Sequence, residues 1–318
     1  MTIAPIGWTS ALQAIAVCVL RGGNQTALKF ALTGFAPFWT AFLRQLLGAA
    51  SVGAWAKLRG ANLVPAADER RPLAQLSMLF IVQVGILHLG ADYTSPAYAV
   101  ILINSNPIFA NLISHFVLPE DRLSPLRLLA LAAAFAGIAA VSLGKPEVEL
   151  AANPALGNSL ILFSAILVAV RLVYTQRLLQ RIEPVKAVFW QMALSLPWFV
   201  AASYASGETA RPVPGWGAIA GVAYQGVVIS GVSFMAWATL LKKHSPGSLS
   251  VLSFSVPIFG IAVSAWLLSE AITARLVLGL ALVISGIAVA TREGRKTIHR
   301  LGERAAGDDN DPPALLGE

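Results

Sequence analysis

Apolar residues run along this chain in stretches of about twenty, and the polar side chains inside those stretches recur at helical rather than alternating spacing. About twenty apolar residues is the length that crosses a hydrocarbon core as a helix. Ten such stretches are placed at 8–28, 36–56, 73–91, 96–118, 125–143, 157–177, 185–206, 215–241, 247–268 and 272–291. The pattern therefore predicts an all-α integral membrane protein of ten transmembrane helices. A large soluble bundle would need outer helices with one polar face, and none is found.

The chain repeats itself. Shifting it by 150 residues lays Ser95, Pro96, Leu102, Ser105, Pro107, Ile108, Phe109, Ser114, Leu118 and Glu120 on identical residues, ten of the 26 positions from Ser95 to Glu120. Apolar segments that match by chance share Leu, Ala and Val, not Ser-Pro, Pro-Ile-Phe and Glu, so the unit is read as a duplication. Further upstream, Arg21 falls on Arg171, which extends the units to 8–144 and 156–291. Each holds five spans, an odd number, so the second enters the membrane in the opposite sense and the two form inverted-topology repeats. Such folds place a site near the midplane, between the halves.

Hydrophobic residues make up 56% of the chain and charged residues 12%, well below the roughly 25% charged of a soluble domain. The net charge of +7 does not point to nucleic acid, because sixteen Lys and Arg fall in one set of loops and the C-terminal tail, against Lys29, Lys145, Arg211 and Arg275 in the other. Positive charge stays inside, so both termini are expected in the cytoplasm, with the protein multi-pass in the cell inner (plasma) membrane and in contact with membrane lipid. Cys18 is the only cysteine, which excludes an intramolecular disulfide. The N-terminus lacks a signal-peptide pattern, so the first helix is expected to stay. The tail, 292–318, is expected to be cytoplasmic and largely disordered.

Polar side chains inside the spans carry the candidate chemistry. Gln13, Arg21, Asn24 and Gln25 fall on one broad face of the first span beside Gly22 and Gly23, and Arg44 lies in the second. His88 lies in the third span, one turn from Asp92 at its outer end. Asn104, Asn111 and His115 form an i, i+7, i+11 stripe in the fourth, passing Pro107. Arg171 and Tyr174 lie in the sixth span, Gln225 in the eighth and Pro257 in the ninth. An ionisable group in mid-span costs roughly 2.5–3.5 kcal/mol, so Arg21, Arg44 and Arg171 must face carbonyls, water or an anionic ligand. No acid lies in a span to pair them. Each arginine alone could clamp carbonyls or snorkel; the three together point to a polar cavity. Either histidine could relay protons or simply pack.

Enzyme signals are poor: there is no H-E-x-x-H, no G-x-S-x-G and no phosphate-binding glycine loop. His88, Asp92 and His115 make only a weak metal pattern. No catalytic residue, metal site or cofactor is expected, and an intramembrane enzyme is the remote alternative.

Arg44 within FWTAFLRQLLGA, Pro107 in the fourth span, and Pro257 followed by WLLSEAI and GLALVISGIAVA resemble the drug/metabolite transporter superfamily, and within it the EamA-type ten-helix exporters. The resemblance covers nearly the whole chain up to about Arg292. It implies that the Pro107 and Pro257 helices are the central, bending ones, that Glu120 and Glu270 match the family's Glu after those spans, and that Arg44 matches its second-helix arginine. The chain departs where Arg21-Gly22 stands in place of the frequent Trp-Gly, and in the polarity of Asn104 to Asn111. The four-helix multidrug members hold cationic drugs with a first-helix Glu, and this first span has no acid.

The expected function is therefore a secondary transporter that exports small metabolites, amino acids or related carboxylate-bearing compounds, by alternating access. The expected substrate-binding set is Arg21, Arg44, His88, Asn104, Asn111, His115, Arg171, Tyr174 and Gln225, with Pro107 and Pro257 as hinges. Export of other small molecules or drugs is the alternative. No nucleotide motif is present, which leaves proton coupling through His88, His115 or Asp92, or diffusion down the substrate's own gradient.

Overall fold

The computed structural model describes residues 8–106, 108–109, 112–113, 125–143, 151–179, 181–208, 214–243, 253, 255–286 and 288–289. Among them every regular element is helical. In chain order these are α1 (Trp8–Gly22), α2 (Asn24–Gly34), α3 (Pro37–Leu58), α4 (Ala67–Tyr93), α5 (Pro96–Ile103), α6 (Pro125–Ser142), α7 (Pro154–Leu178), α8 (Pro184–Ala193), α9 (Leu196–Ala205), α10 (Trp216–Ala223), a π-helical segment (Tyr224–Ser233), α11 (Phe234–Lys243) and α12 (Ser255–Leu268). A last apolar helix, α13, covers Ala274–Gly286.

Four helical stretches are long and apolar enough to cross a membrane: Ala67–Tyr93, Pro154–Thr175, Pro184–Ala205 and Trp216–Leu240. Leu128–Val141, Ser255–Leu268 and Ala274–Gly286 are shorter apolar helices. At 22 residues α3 has the length but carries Arg44 and Gln45 at its centre.

The side chains are distributed inside out. On α1, Trp8, Leu12, Ile15 and Val19 form an exposed apolar stripe, while Gln25, Thr40, Gln45, His88 and Gln225 are buried. A helix that is apolar all round is a helix whose outer solvent is itself apolar. Gln13 departs from the face predicted for it and points outward.

Breaks within the expected spans have local causes. The first span divides at Gly23, where the Tyr224 hydroxyl donates to the Leu20 carbonyl at 2.8 Å and so takes the place of a helical N–H. A Cβ at Gly22 would lie 2.6 Å from Cβ of Phe259, so α1 and α12 touch nearly backbone to backbone. The seventh divides at Leu194 and Ser195, just before Pro197, whose missing N–H cannot bond back one turn. In the fourth, α5 ends at Ile103. Pro107 has no N–H to give the Ile103 carbonyl four residues back, and the Asn106 amide supplies that donor instead at 2.9 Å. Pro107 lies outside the described residues, while Pro257 is buried in the first described turn of α12.

Helix α5 is central, with every residue from Pro96 to Leu102 buried. Around it α4 packs on α7, α3 on the π segment, α10 on α2, and α1 on α12. Polar ties cross these seams: Thr94 donates to Asn158 at 2.6 Å and Gln83 to Ser164 at 3.0 Å. Each tie between membrane helices contributes roughly 0.6–2 kcal/mol. α6 meets α13 through glycine, since a Cβ at Gly137 would lie 2.8 Å from the Gly279 carbonyl, while Gly286 faces the Ala130 carbonyl.

Candidate functional site

Three polar residues of the π segment, spaced five and three apart, each hold an inward residue of another helix. Gln225 donates to the Asn24 carbonyl at 3.1 Å and to its side-chain oxygen at 3.2 Å. Ser230 accepts from Arg44 Nε at 3.1 Å, and Ser233 accepts from Arg21 Nε at 3.1 Å. Wide π turns are frequent at functional sites. This one lies against α3 because the seam is made of small residues: a Cβ at Gly48 would sit 2.7 Å from Cβ of Ser230. Ser230 and Ser233 thus serve both the close packing of this seam and the hydrogen bonding of two arginines.

The arginines are met differently. Arg21, partly buried, stacks its guanidinium over Trp237 at 4.6 Å and Phe234 at 5.8 Å, so aromatic faces take up part of its charge. Arg171 lies over Phe80 at 5.3 Å and donates through Nη1 to Gln191 at 3.3 Å, leaving its Nε without a partner. Arg44 is 4% exposed, with no partner for Nη1. Among the described residues no carboxylate forms an ion pair with any of the three.

His88 is fully buried. Its Nδ1 lies 2.8 Å from the Val84 carbonyl, which can only accept, so Nδ1 carries the proton, and in the neutral ring Nε2 is a lone pair with no partner among the described residues. Gln25 Oε1, Thr26 Oγ1, Thr40 Oγ1, both amide atoms of Gln45 and Gln225 Oε1 are likewise buried and unpartnered. A buried polar atom left without a partner costs roughly 1–3 kcal/mol. Their concentration on α2, α3, α4, α7 and the π segment defines the candidate site.

The remaining expected residues fall elsewhere. Asn104 turns its amide back to the Val100 carbonyl at 2.8 Å and finishes α5. Tyr174 donates to Pro72 O at 3.2 Å and Gln75 Oε1 at 2.8 Å, within an apolar cluster of Leu73, Leu76, Leu178 and Ile182 at one end of the bundle. Asn111 and His115 lie outside the described residues. Thr26, Thr40 and Gln45 were not singled out by the sequence, because one hydroxyl or amide in an apolar run carries no signal of direction.

Glu270 is a second finding. Its carboxylate, 5% exposed, accepts from the Ser95 and Ser264 hydroxyls and from the Ala97 N–H at 3.2 Å, so a charged group caps the start of α5. Ser95, Ser264 and Glu270 all belong to the positions repeated 150 residues apart; their counterparts Ser245, Ser114 and Glu120 lie outside the described residues. Lys29, expected in a loop, lies in α2 and donates to the last carbonyls of α4, at 3.3 Å to Ala91, 3.1 Å to Asp92 and 3.0 Å to Thr94. Glu208 caps α3, accepting from Phe38 N at 2.8 Å and Trp39 N at 3.1 Å.

A helical bundle that turns apolar residues outward and arginines inward is a multi-pass membrane protein with a charged interior. The chain belongs to the EamA-like transporter family, whose model matches it twice, over residues 8–143 and 155–292, and it is a transporter of the drug/metabolite type. It is 21% identical over 278 residues to the uncharacterized transporter YoaV of Bacillus subtilis, covering 87% of this chain and 94% of that one. An uncharacterized transporter of Archaeoglobus fulgidus is 24% identical over 282 residues, 86% of this chain and 94% of its own. One of Synechocystis is 26% identical over 305 residues, covering 87% and 88%. A solved crystal structure of a protein shares the fold, with a TM-score of 0.64 at 21% identity over 90% of this chain and 99% of that one.

Proposed function

We propose that the chain is a secondary transporter that exports small carboxylate-bearing metabolites, amino acids or their relatives, across the inner membrane by alternating access. The observation that carries this reading is the pair Arg44 and Arg171: each keeps an N–H with no partner among the described residues, and neither forms an ion pair with a described acid. A carboxylate is the natural partner for such donors. Around the pair, Arg21, His88, Asn104, Asn111, His115, Tyr174 and Gln225 complete the proposed set, with Asn104 and Tyr174 the least supported by their present partners.

Ten spans in two inverted halves, 8–144 and 156–291, with Pro107 and Pro257 as the hinges, supply the two packings that alternating access needs. The twofold family match supports the halves. So does the packing: the contact of α4 with α7 has its repeat counterpart in that of α10 with α2, and Gly137 against Gly279 has its counterpart in Gly286 against Ala130. Proton coupling and facilitated diffusion both fit this site. Purified protein in liposomes is expected to give saturable flux of labelled amino acids or organic acids above empty vesicles. Saturable flux of hydrophobic cations, with carboxylates ignored, would overturn the substrate assignment.

Both termini are proposed to be cytoplasmic, on the loop charges. On a Cys18→Ser background, a cysteine at Asn62 or Arg181, both exposed, should resist a membrane-impermeant maleimide in intact cells and react after permeabilisation. Labelling in intact cells would reverse the orientation.

A further inference from the structure

The charge and hydrogen-bonding inventory of the interior narrows the ligand further, on the footing of the transporter reading above. Two guanidiniums, those of Arg44 and Arg171, each have one donor unspent, and Gln45 adds an unpartnered amide N–H. Arg44 and Gln45 are neighbours on α3 and are 4% and 0% exposed. Aromatic faces offset part of the charge of Arg21 and Arg171, whereas Arg44 has no ring over it among the described contacts. Like charges in a medium of low dielectric repel strongly at short range. A zwitterion brings one negative group and one positive group, and so leaves the net charge of this interior unchanged. A ligand with two negative charges neutralises both unsatisfied arginines.

The acceptors tell the other half. Gln25 Oε1, Gln45 Oε1, Gln225 Oε1 and His88 Nε2 are buried and have no donor among the described residues. All four are uncharged acceptors when the imidazole is neutral, so they suit a hydroxyl on the ligand.

We propose that the transported substrate is a small dianion, two carboxylates or one phosphoryl group on a short skeleton that also carries a hydroxyl donor. Arg44 and Arg171 take the two negative charges, and the glutamine oxygens with His88 Nε2 take the donor.

The test is counterflow in proteoliposomes containing the full chain, with unlabelled malate, glycerol phosphate, lactate or alanine inside and the same compound labelled outside. Dianions are expected to half-saturate at least roughly tenfold lower than their one-anion analogues lactate and alanine, the effect of one added charge-assisted bond. Arg171→Gln should weaken every acid but dianions at least roughly tenfold more than lactate, erasing that difference, and Arg171→Lys, which keeps the charge but not the fork, should restore part of it. Accumulation of glycerol phosphate without malate would support the dianion and count against a carboxylate substrate. Equal half-saturation for alanine, lactate and malate would overturn the dianion and leave the carboxylate exporter standing. Counterflow of none of these acids, alongside saturable flux of a hydrophobic cation, would overturn both.

Discussion

Arg44→Met is expected to abolish most transport and, at the same time, to raise the melting temperature of the purified protein. The transport loss follows from one charge-assisted hydrogen bond to the substrate, roughly 1.5–3 kcal/mol, or about 10- to 150-fold in half-saturation. The gain in stability follows from the resting structure. Arg44 is nearly fully buried, bonded to one serine hydroxyl, with no described acid in an ion pair with it. Replacing a buried ion pair by apolar side chains of similar volume is neutral or stabilises by about 1–4 kcal/mol, and a buried charge without a counter-ion should gain at least as much from the same change. A guanidinium that merely clamped the bundle would behave oppositely, with stability lost and flux kept. Proteoliposome flux and a thermal melt on the same preparation separate the two.

Glu270→Ala is expected to produce the largest loss of stability of any single change outside the arginine site. Its carboxylate is the acceptor for the hydroxyls of Ser95 and Ser264 and for the Ala97 N–H. Hydrogen bonds to a charged group are worth roughly 1.5–3 kcal/mol each, and apolar surroundings offer no water as a substitute. The broken contact also joins α5 to the segment after α12, two elements more than 150 residues apart in sequence. Glu270→Gln keeps one acceptor oxygen and offers N–H groups to hydroxyls that can rotate to accept, so it should fall between wild type and alanine. Ser95→Ala and Ser264→Ala should each cost less than Glu270→Ala, and add little on top of it. A melt of Glu270→Ala indistinguishable from wild type would remove the cap from the list of stabilising contacts.

Long-range features of this chain were readable where they left a periodic or repeated trace. The stretches of apolar residues gave the helices, the loop charges gave an orientation to test, and mid-span arginines stood out because lipid makes them costly. Glu270 was legible too, although as an unexplained member of the repeat: the serines that hold it were repeated with it. Other features had no such trace. A π turn at Tyr224–Ser233 depends on how α3 presses against the segment, and the local run of Gly and Ser indicates only that close approach is allowed. Tyr174, one turn from Arg171 on the same helix, was expected to share its cavity, yet the side chain follows the start of α4 and closes one end of the bundle. Asn104 was expected on a polar stripe, and the end of α5 recruits its amide instead. In both cases helical spacing fixed the face and a neighbouring carbonyl fixed the partner.

The most direct test of a substrate path through the buried polar cluster uses Thr40, which is fully buried on α3, one turn from Arg44, and has an unpartnered hydroxyl. Thr40→Cys on the Cys18→Ser background, in proteoliposomes, should react with small charged methanethiosulfonates. The anionic reagent should react faster than the cationic one because the arginines draw it in, and a saturating transported acid should protect the thiol. Leu46→Cys, on the outward side of the same helix, serves as the control that substrate leaves unprotected. Equal reactivity at the two positions, or faster modification of Thr40→Cys by the cationic reagent with no protection by any acid, would contradict a polar, anion-selective path through this interior.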